Sequence, residues 1–289
     1  MDSLKFATEL LPLTWRKPFD TYRSAGAEEI RLRSGQKPAV LLSDGEQSFS
    51  DEPVTEEILL RVLEKATGAS IHTAAPALSE GYLNYHGLRI GVCGTAFMKE
   101  DKLSGFRRIS SLAIRIPREC REICKNGKEL FKSEGFQNTL IIGRPGDGKT
   151  TVLRELVRFL SNEGYRVGVS DERNELAAVD ESGAGFDLGR CSDVVTGVAK
   201  VEGAMILLRG MNPQILAMDE ITRKRDLDAI QQIVGCGVSL LASTHGSSME
   251  ELYKRQGYCE LLEQGVFSYL LLVERFGRER RYDLKRIGT

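Results

Sequence analysis

The second half of the chain alternates short apolar runs with segments of helical periodicity. From residue 138 onward the order is strand, helix, strand, and so on, which predicts a doubly wound α/β core. Residues 266–288 predict a closing hairpin that turns at 276–278. Four runs are continuous enough to be parallel strands buried on both faces: residues 140–142, 166–170, 214–218 and 239–243.

The first half of the chain predicts a different, α+β organisation. Residues 28–45 alternate apolar and polar side chains on both sides of Gly35 and Pro38, which is typical of a β-hairpin. Residues 55–68 begin with Thr55 and two glutamates and then place their apolar residues on one face. This pattern indicates a capped helix.

Two further segments, residues 81–97 and 106–120, alternate apolar and polar positions between glycines and predict a second antiparallel set. A basic, turn-rich stretch follows and leads to the first strand of the α/β core. The composition therefore predicts three parts: an N-terminal α+β domain over 1–120, a linker over 121–137 and a second domain over 138–289.

A glycine-rich bend, GRPGDGKTT, follows the first predicted strand of the second domain. Gly143, Gly148, Lys149 and Thr150 fit G-x-x-x-x-G-K-[ST], in which backbone N–H groups cradle phosphates and the lysine neutralises their oxygens. A plain turn between strand and helix is the alternative. The apolar helical stripe that begins at Val152 favours a P-loop. We expect nucleotide contacts from Gly143, Arg144, Pro145, Gly146, Asp147, Gly148, Lys149, Thr150 and Thr151.

The composition limits the possible partners. Of 289 residues, 41% are hydrophobic and 28% are charged, which suits a folded protein of one large or two modest domains. Forty basic against forty-one acidic side chains give a formal net charge of -1, so nucleic acid is not favoured as a partner. No apolar run approaches the roughly 18 residues of a membrane span, and we expect a cytoplasmic protein with six reduced cysteines.

An acidic pair follows the third predicted strand of the core. Ligands of open parallel sheets bind at the carboxyl ends of the strands. Asp219 is placed to hold Mg²⁺ together with the Thr150 hydroxyl, and Glu220 is placed to orient or deprotonate a water that attacks the γ-phosphate. The pair alone would be an ordinary surface turn. Its place behind an apolar strand and after a P-loop favours the catalytic interpretation.

Two other strand ends carry candidate groups. Asp171, Glu172 and Glu175 follow the second strand in the segment DERNELA, where a solvated loop is the alternative to a nucleotide contact. His245 ends the fourth strand in the segment STHG. It either packs locally or senses the γ-phosphate by hydrogen bonding.

Taken together and in this order, the segments resemble the type II/IV secretion ATPases, and more closely the stage III sporulation protein AA family. The resemblance covers nearly the whole chain. HGLRIGVCG and DERNEL are its more specific parts, since P-loop motifs are common to many families. The segments that carry the resemblance are EEIRLR, HGLRIGVCG, ISSLAIRI, GRPGDGKTT, DERNELAA, LGRCSDVV, LLRGMNPQILAMDEI and STHG.

The resemblance implies a ring-forming ATPase, expected to be hexameric, whose N-terminal domain is tied to a RecA-like P-loop ATPase domain. It implies work with membrane proteins of a secretion-like channel complex during endospore formation, and hence a cytoplasmic protein peripherally associated with a membrane complex. Cys191 and Thr222 depart from the family pattern and are not catalytic groups. The roles carried over are phosphate and Mg²⁺ binding by Gly148, Lys149, Thr150 and Thr151, an acidic box of Asp171, Glu172 and Glu175, a catalytic carboxylate at Glu220 and a histidine box at His245.

These features predict an ATPase that hydrolyses Mg-ATP to drive or regulate a membrane-associated export assembly. The alternative is a nucleotide-gated assembly scaffold with negligible turnover, although such a module would not need Glu220. A nucleic-acid motor is disfavoured, because no tract combines aromatic and basic residues in the way that binds single strands.

Phosphoryl transfer is commonly completed by an arginine. The candidates in the first half are Arg107, Arg108 and Arg115. Our hypothesis is that Arg108 and Arg115 close on the γ-phosphate, and Ile114 and Ile116 flank Arg115 in a predicted strand. The alternative for this arginine cluster is the wet face of an antiparallel sheet. Arg209, just before the third strand of the core, is the competing candidate.

Overall fold

A computed structural model describes residues 3–19, 22, 26–42, 44–68, 81–99, 102–116, 124–179, 185–276 and 279–288. The chain divides into two compact units. Unit 1 comprises Met1–Arg118 and Ala178–Gly185, and unit 2 comprises Glu119–Ala177 and Phe186–Thr289. Within the described ranges, no helix is both long and apolar enough to cross a membrane.

Unit 1 is built on one six-stranded antiparallel sheet with the strand order β3-β2-β1-β6-β5-β4. Its strands are β1 (Glu29–Arg33), β2 (Ala39–Leu42), β3 (Gly45–Ser48), β4 (Tyr82–Tyr85), β5 (Leu88–Lys99) and β6 (Lys102–Arg115). Its described helices are α1 (Ser3–Leu10), α2 (Leu13–Arg16) and α3 (Glu56–Ala66).

The predicted hairpin of unit 1 is the β1–β2 pair, in which Ile30 lies opposite Val40. The predicted helix is α3, whose N-cap residue Thr55 accepts a hydrogen bond from the Ile58 N–H at 3.2 Å. The two predicted antiparallel sets are joined in a single sheet, because β1 also pairs with β6 and places Ile30 opposite Ile114. Buried side chains from the sheet and from α1 to α3 form one hydrophobic core.

Unit 2 is an α/β structure on a seven-stranded sheet with the order β13-β12-β7-β11-β10-β8-β9. Its strands are β7 (Thr139–Gly143), β8 (Val167–Asp171), β9 (Ser192–Thr196), β10 (Ile215–Met218), β11 (Ser239–His245), β12 (Tyr269–Phe276) and β13 (Glu279–Arg286). All neighbouring pairs are parallel except β12 and β13, which form the predicted closing hairpin. Its predicted turn at 276–278 lies partly outside the described residues.

The described helices of unit 2 are α4 (Lys125–Glu134), α5 (Lys149–Asn162), α6 (Lys200–Gly210), α7 (Lys224–Gly235), α8 (Met249–Tyr253) and α9 (Gln256–Glu263). The central strands are buried on both faces. Leu140 and Ile142 of β7 join a cluster with α6, α7 and α9, while Ile141, which points to the opposite face, is also 0% exposed. Because β7, β8, β10 and β11 run parallel to one another, their carboxyl ends lie at the same edge of the sheet.

Two elements of unit 2 differ from the predictions. Strand β9 was not predicted, because it pairs with β8 at the sheet edge and its residues are only half-buried, which leaves no continuous apolar run. Residues 121–137 were predicted as a linker, yet α4 lies within them. The segment is basic and has only a short buried face, so its sequence does not predict a helix. On that face Phe131 packs against Phe136 and Tyr269, and Lys128 pairs with Glu155.

Candidate active site

The glycine-rich loop, residues 143–150, joins β7 to α5, and a side chain at Gly143 or Gly148 would meet neighbouring atoms. At Gly143, a Cβ atom would lie 2.6 Å from the Val273 carbonyl oxygen. Gly148 has φ +102°, and a Cβ atom there would lie 2.8 Å from Nε of Arg280. Gly148 is also the N-cap residue of α5. The loop thus brings the positive end of a helix dipole to the strand edge.

Lys149 is the first residue of α5, and its side chain turns back across the loop. It is 5% exposed, and its Nζ lies 3.1 Å from the Arg144 carbonyl oxygen and 2.9 Å from Nδ1 of His245. Burial lowers the pKa of the Lys149 ammonium group, with the carboxylates of Asp219 and Glu220 opposing the effect. The loop therefore holds the Lys149 ammonium group against His245, which was predicted from the end of the fourth strand.

His245 connects this lysine to Glu220. Nδ1 of His245 faces the Lys149 ammonium, which can only donate, and Nε2 of His245 lies 3.1 Å from Oε1 of Glu220. The other carboxylate oxygen of Glu220 accepts a hydrogen bond from Nη1 of Arg173 at 2.8 Å. Four side chains from four loops thus form one connected row: Lys149, His245, Glu220 and Arg173.

Asp219 forms a second group beside this row. The Thr150 hydroxyl donates to Oδ2 of Asp219 at 2.7 Å, and the Ser243 hydroxyl donates to Oδ1. A hydroxyl and a carboxylate are hard oxygen ligands of the kind that Mg²⁺ prefers. In the described part of the chain, no group of three or more His, Cys, Asp or Glu side chains could hold a metal. A magnesium ion at Thr150 and Asp219 would take its remaining ligands from phosphate and water.

Asp171, at the end of β8, shapes the loop that follows. It is 2% exposed, and its two carboxylate oxygens accept the N–H groups of Glu175, Leu176 and Ala177 at 2.8 to 3.0 Å. Burial raises the pKa of Asp171 to about 6, and the hydrogen bonds from the loop only partly offset this effect. This carboxylate is engaged with backbone, while Glu172 lies near two cations, Arg223 and Lys200.

The other residues that were predicted to contact nucleotide lie in the loops after β7 and β8. Arg144, Pro145 and Gly146 are exposed, and Thr151 is half-buried. The Arg144 N–H donates to the Asp147 carboxylate at 2.6 Å. The Glu175 carbonyl accepts a hydrogen bond from Arg154 of α5 at 2.6 Å.

The candidate arginines Arg108, Arg115 and Arg209 all have partners elsewhere. In unit 1, Arg108 pairs with Glu56, and Arg115 lies 3.6 Å from the buried Glu29 with 64% of its side chain exposed. Arg209 of unit 2 is exposed and donates to a carbonyl of its own helix, that of Met205. The predicted approach of an arginine to the γ-phosphate stays a prediction.

Four residues that contact the site could not be assigned from the sequence. Arg173 and Ser243 stand inside segments that were singled out, but neither was assigned a role. Lys200, the first residue of α6, donates to the Glu220 carbonyl, and Arg280 of β13 donates to the Asp147 carbonyl at 3.1 Å. No motif marks these two, since their contacts depend on how α6 and the hairpin pack.

Comparison with known proteins decides the family. The family described as "Sporulation stage III, protein AA" matches residues 10–282. The chain belongs to this family. It is 33% identical over 255 residues to Stage III sporulation protein AA of Bacillus subtilis (strain 168), covering 86% of this chain and 82% of that protein. The predicted family is therefore confirmed.

Other relatives have names without reference to sporulation. The chain is 29% identical over 251 residues to the uncharacterized protein ycf45 of Cyanidium caldarium, covering 83% of this chain and 67% of that protein. It is 26% identical over 272 residues to SEEDLING PLASTID DEVELOPMENT 1 of Arabidopsis thaliana, covering 91% of this chain and 36% of that protein.

Solved structures confirm the predicted fold class. The ATPase DotB of Legionella pneumophila matches with a TM-score of 0.64 at 13% identity, over 95% of this chain and 80% of that one. The pilus retraction motor PilT with bound ADP matches with a TM-score of 0.62 at 14% identity, over 94% and 83%. The fold is α/β, with a RecA-like P-loop core and a smaller N-terminal α+β domain.

Proposed function

We propose that this chain binds Mg-ATP and hydrolyses its γ-phosphate. The observation that carries the proposal is the row from Lys149 through His245 to Glu220, with contacts of 2.9 and 3.1 Å, at the carboxyl edge of a parallel sheet. A cation that binds phosphate and a carboxylate that orients water are two of the groups that catalyse this reaction. A module that only binds nucleotide has no use for the second.

Each residue of the site has its own role in the proposed reaction. Backbone N–H groups of the glycine-rich loop and the Lys149 ammonium bind the β- and γ-phosphates, while Thr150 and Asp219 would hold Mg²⁺, which supplies positive charge to the phosphate oxygens. Glu220 orients the attacking water and accepts its proton. His245 contacts both Lys149 and Glu220. A γ-phosphate that binds to Lys149 competes with His245 for the ammonium group, and this competition changes the contact between His245 and Glu220.

The assembly is the second part of the proposal. We infer a ring of identical chains, of the hexameric kind expected from the resemblance to secretion ATPases, working at a membrane complex of a sporulation channel from its cytoplasmic side. The family membership supports the sporulation setting, and the fold shared with a pilus retraction motor supports a mechanical role. In this arrangement the N-terminal domain, predicted over 1–120, would supply Arg108 and Arg115 to nucleotide.

Steady-state phosphate release from the purified full chain tests the reaction. We expect turnover that depends on Mg²⁺ and falls roughly 10²- to 10⁴-fold in Glu220→Gln, which keeps the shape of the side chain but cannot accept a proton. Glu260→Gln is a matched control, because Glu260 is a glutamate on α9 that is not part of the row. Tight ATP binding without turnover would instead support the scaffold, and a salt-dependent affinity for single-stranded DNA would support the nucleic-acid motor.

Turnover per chain, measured over a range of protein concentrations, tests the assembly. A ring whose sites are completed by neighbouring chains gains activity with concentration, and Arg115→Ala should lower turnover far more than it lowers ATP affinity. The matched control is Arg107→Ala, an exposed arginine of the same strand. Turnover that is independent of concentration, together with an unaffected Arg115→Ala variant, would contradict the assembly.

A further inference from the structure

The backbone of Glu220 has an unusual conformation. Its φ is +48°, the left-handed region that costs a residue with a side chain about 1–2 kcal/mol. Such a conformation persists only where its surroundings impose it, and it is concentrated at functional sites. The contacts around Glu220 must therefore hold its backbone in this conformation.

Hydrogen bonds fix both ends of this residue. The Glu220 N–H lies 3.0 Å from Oδ1 of Asp219 and 3.0 Å from Oγ of Ser243, and the next N–H, that of Ile221, donates to the Ser243 carbonyl at 2.9 Å. The Glu220 carbonyl accepts a hydrogen bond from Nζ of Lys200. Lys200 is thus the side chain that holds the carbonyl side of the strained residue.

Lys200 is itself held firmly. It is 7% exposed, and its own carbonyl accepts a hydrogen bond from the Ser170 hydroxyl of β8 at 2.7 Å. This bond ties the start of α6 to the strand that precedes the acidic segment. The lysine therefore projects from a fixed point and its head group has little freedom to move away from Glu220.

The charge of Lys200 is matched by two carboxylates. Its Nζ lies 3.7 Å from Oε2 of Glu172 and 3.7 Å from Oδ2 of Asp226, which is fully buried. A buried ammonium group needs such partners, and removal of one member of a buried ion pair is costly because the other charges are left behind. One ammonium group thus links the loop after β8, the loop after β10 and the first turn of α7.

We infer that Lys200 is a positioning residue for Glu220. It clamps the left-handed backbone through the Glu220 carbonyl, so that the carboxylate side chain faces His245 and the attacking water. The inference rests on the proposed ATP hydrolysis, and it assigns Lys200 no contact with nucleotide. Its action through Glu220 has two consequences: turnover depends on Lys200 more than ATP affinity does, and the dependence disappears when Glu220 is already inactive.

The experiment compares Lys200→Met and Lys200→Arg with a matched control, Lys224→Met, which removes an exposed lysine from the start of α7. ATP affinity is measured by equilibrium titration with a fluorescent ATP analogue, and single-turnover hydrolysis by phosphate release. We expect Lys200→Met to slow hydrolysis roughly 10- to 100-fold, as loss of a precise orientation does, with affinity changed less than about threefold. Lys200→Arg, which keeps the charge and a donor, should recover part of the rate, and Lys224→Met should match the original chain.

The same substitutions are then placed in the Glu220→Gln background. If Lys200 acts through Glu220, adding Lys200→Met to Glu220→Gln leaves the residual rate unchanged. A further fall of the same factor, equal losses in rate and affinity, or a normal rate in Lys200→Met would overturn the inference while leaving ATP hydrolysis intact. Absence of turnover in the original chain would overturn both. If Lys200→Met does not fold, Lys200→Arg in the two backgrounds gives the same comparison.

Discussion

Ser243→Ala is expected to weaken both the fold of unit 2 and the proposed reaction. Ser243 is 0% exposed, and its hydroxyl donates to the Asp219 carboxylate and accepts the Glu220 N–H at 3.0 Å. The substitution removes these two hydrogen bonds and leaves the backbone bond from Ile221 to the Ser243 carbonyl in place. It therefore isolates the contribution of one hydroxyl group.

The magnitude follows from the partners. A hydrogen bond to a charged group contributes about 1.5–3 kcal/mol and a neutral one about 1 kcal/mol. The Glu220 N–H keeps its contact with Oδ1 of Asp219, so neither partner is left without a hydrogen bond, and the loss falls at the lower end of that sum. We expect the free energy of unfolding to decrease by about 2.5 kcal/mol.

Urea denaturation followed by far-UV circular dichroism measures this loss, and phosphate release measures the effect on Glu220. A displaced carboxylate should lower turnover about tenfold, the equivalent of about 1.4 kcal/mol. Ser133→Ala is the control, because Ser133 is an exposed serine whose hydroxyl bonds only within its own helix. A Ser243→Ala variant within about 0.5 kcal/mol of that control, with normal turnover, would refute the role of this hydroxyl.

Two further substitutions test particular contacts. Asp171→Asn should remove a pH dependence of stability. The Asp171 pKa is raised from 3.8 to about 6 in the folded chain, so between these pH values the folded state binds more protons than the unfolded state. The stabilising contribution of Asp171 is therefore present below pH 4 and is lost as the pH rises through about 6. The difference in unfolding free energy between the original chain and Asp171→Asn should change by about 3 kcal/mol over that interval, and a constant difference would contradict the burial argument. Gly148→Ala should cost more stability and nucleotide affinity than Gly164→Ala, since both glycines have φ near +100° but only Gly148 packs against Arg280; equal losses in the two variants would show that the Arg280 contact is unimportant.

Much of this architecture could be predicted because the central strands are continuous apolar runs. The same topology explains why the candidate groups could be predicted: residues that follow β7, β8, β10 and β11 must meet at one edge of the sheet, and Lys149, Glu220 and His245 do so. Strand β9 could not be predicted because the residues of this edge strand are only half-buried and do not form an apolar run. Helix α4 could not be predicted because only a narrow face around Phe131 is buried.

The contacts that could not be predicted come from packing at a distance. Lys200 reaches Glu220 because the start of α6 is bonded to β8. Arg280 reaches the glycine-rich loop because β13 runs antiparallel to β12. Nothing in the local sequence of either residue distinguishes it from a solvated surface cation. The role of Asp171 was also hidden, since only the structure shows its oxygens engaged by three backbone N–H groups.

The nucleotide retained by the purified chain after incubation with Mg-ATP tests the central claim most directly. In the proposed mechanism Lys149 is needed for binding and Glu220 only for the chemical step. We therefore expect ADP on the original chain, ATP on Glu220→Gln and no nucleotide on Lys149→Ala. Separation of the bound nucleotides by chromatography gives the result without depending on turnover rates. Equal amounts of ADP on the original chain and on Glu220→Gln, or equal loss of ATP binding in the Lys149→Ala and Glu220→Gln variants, would contradict it.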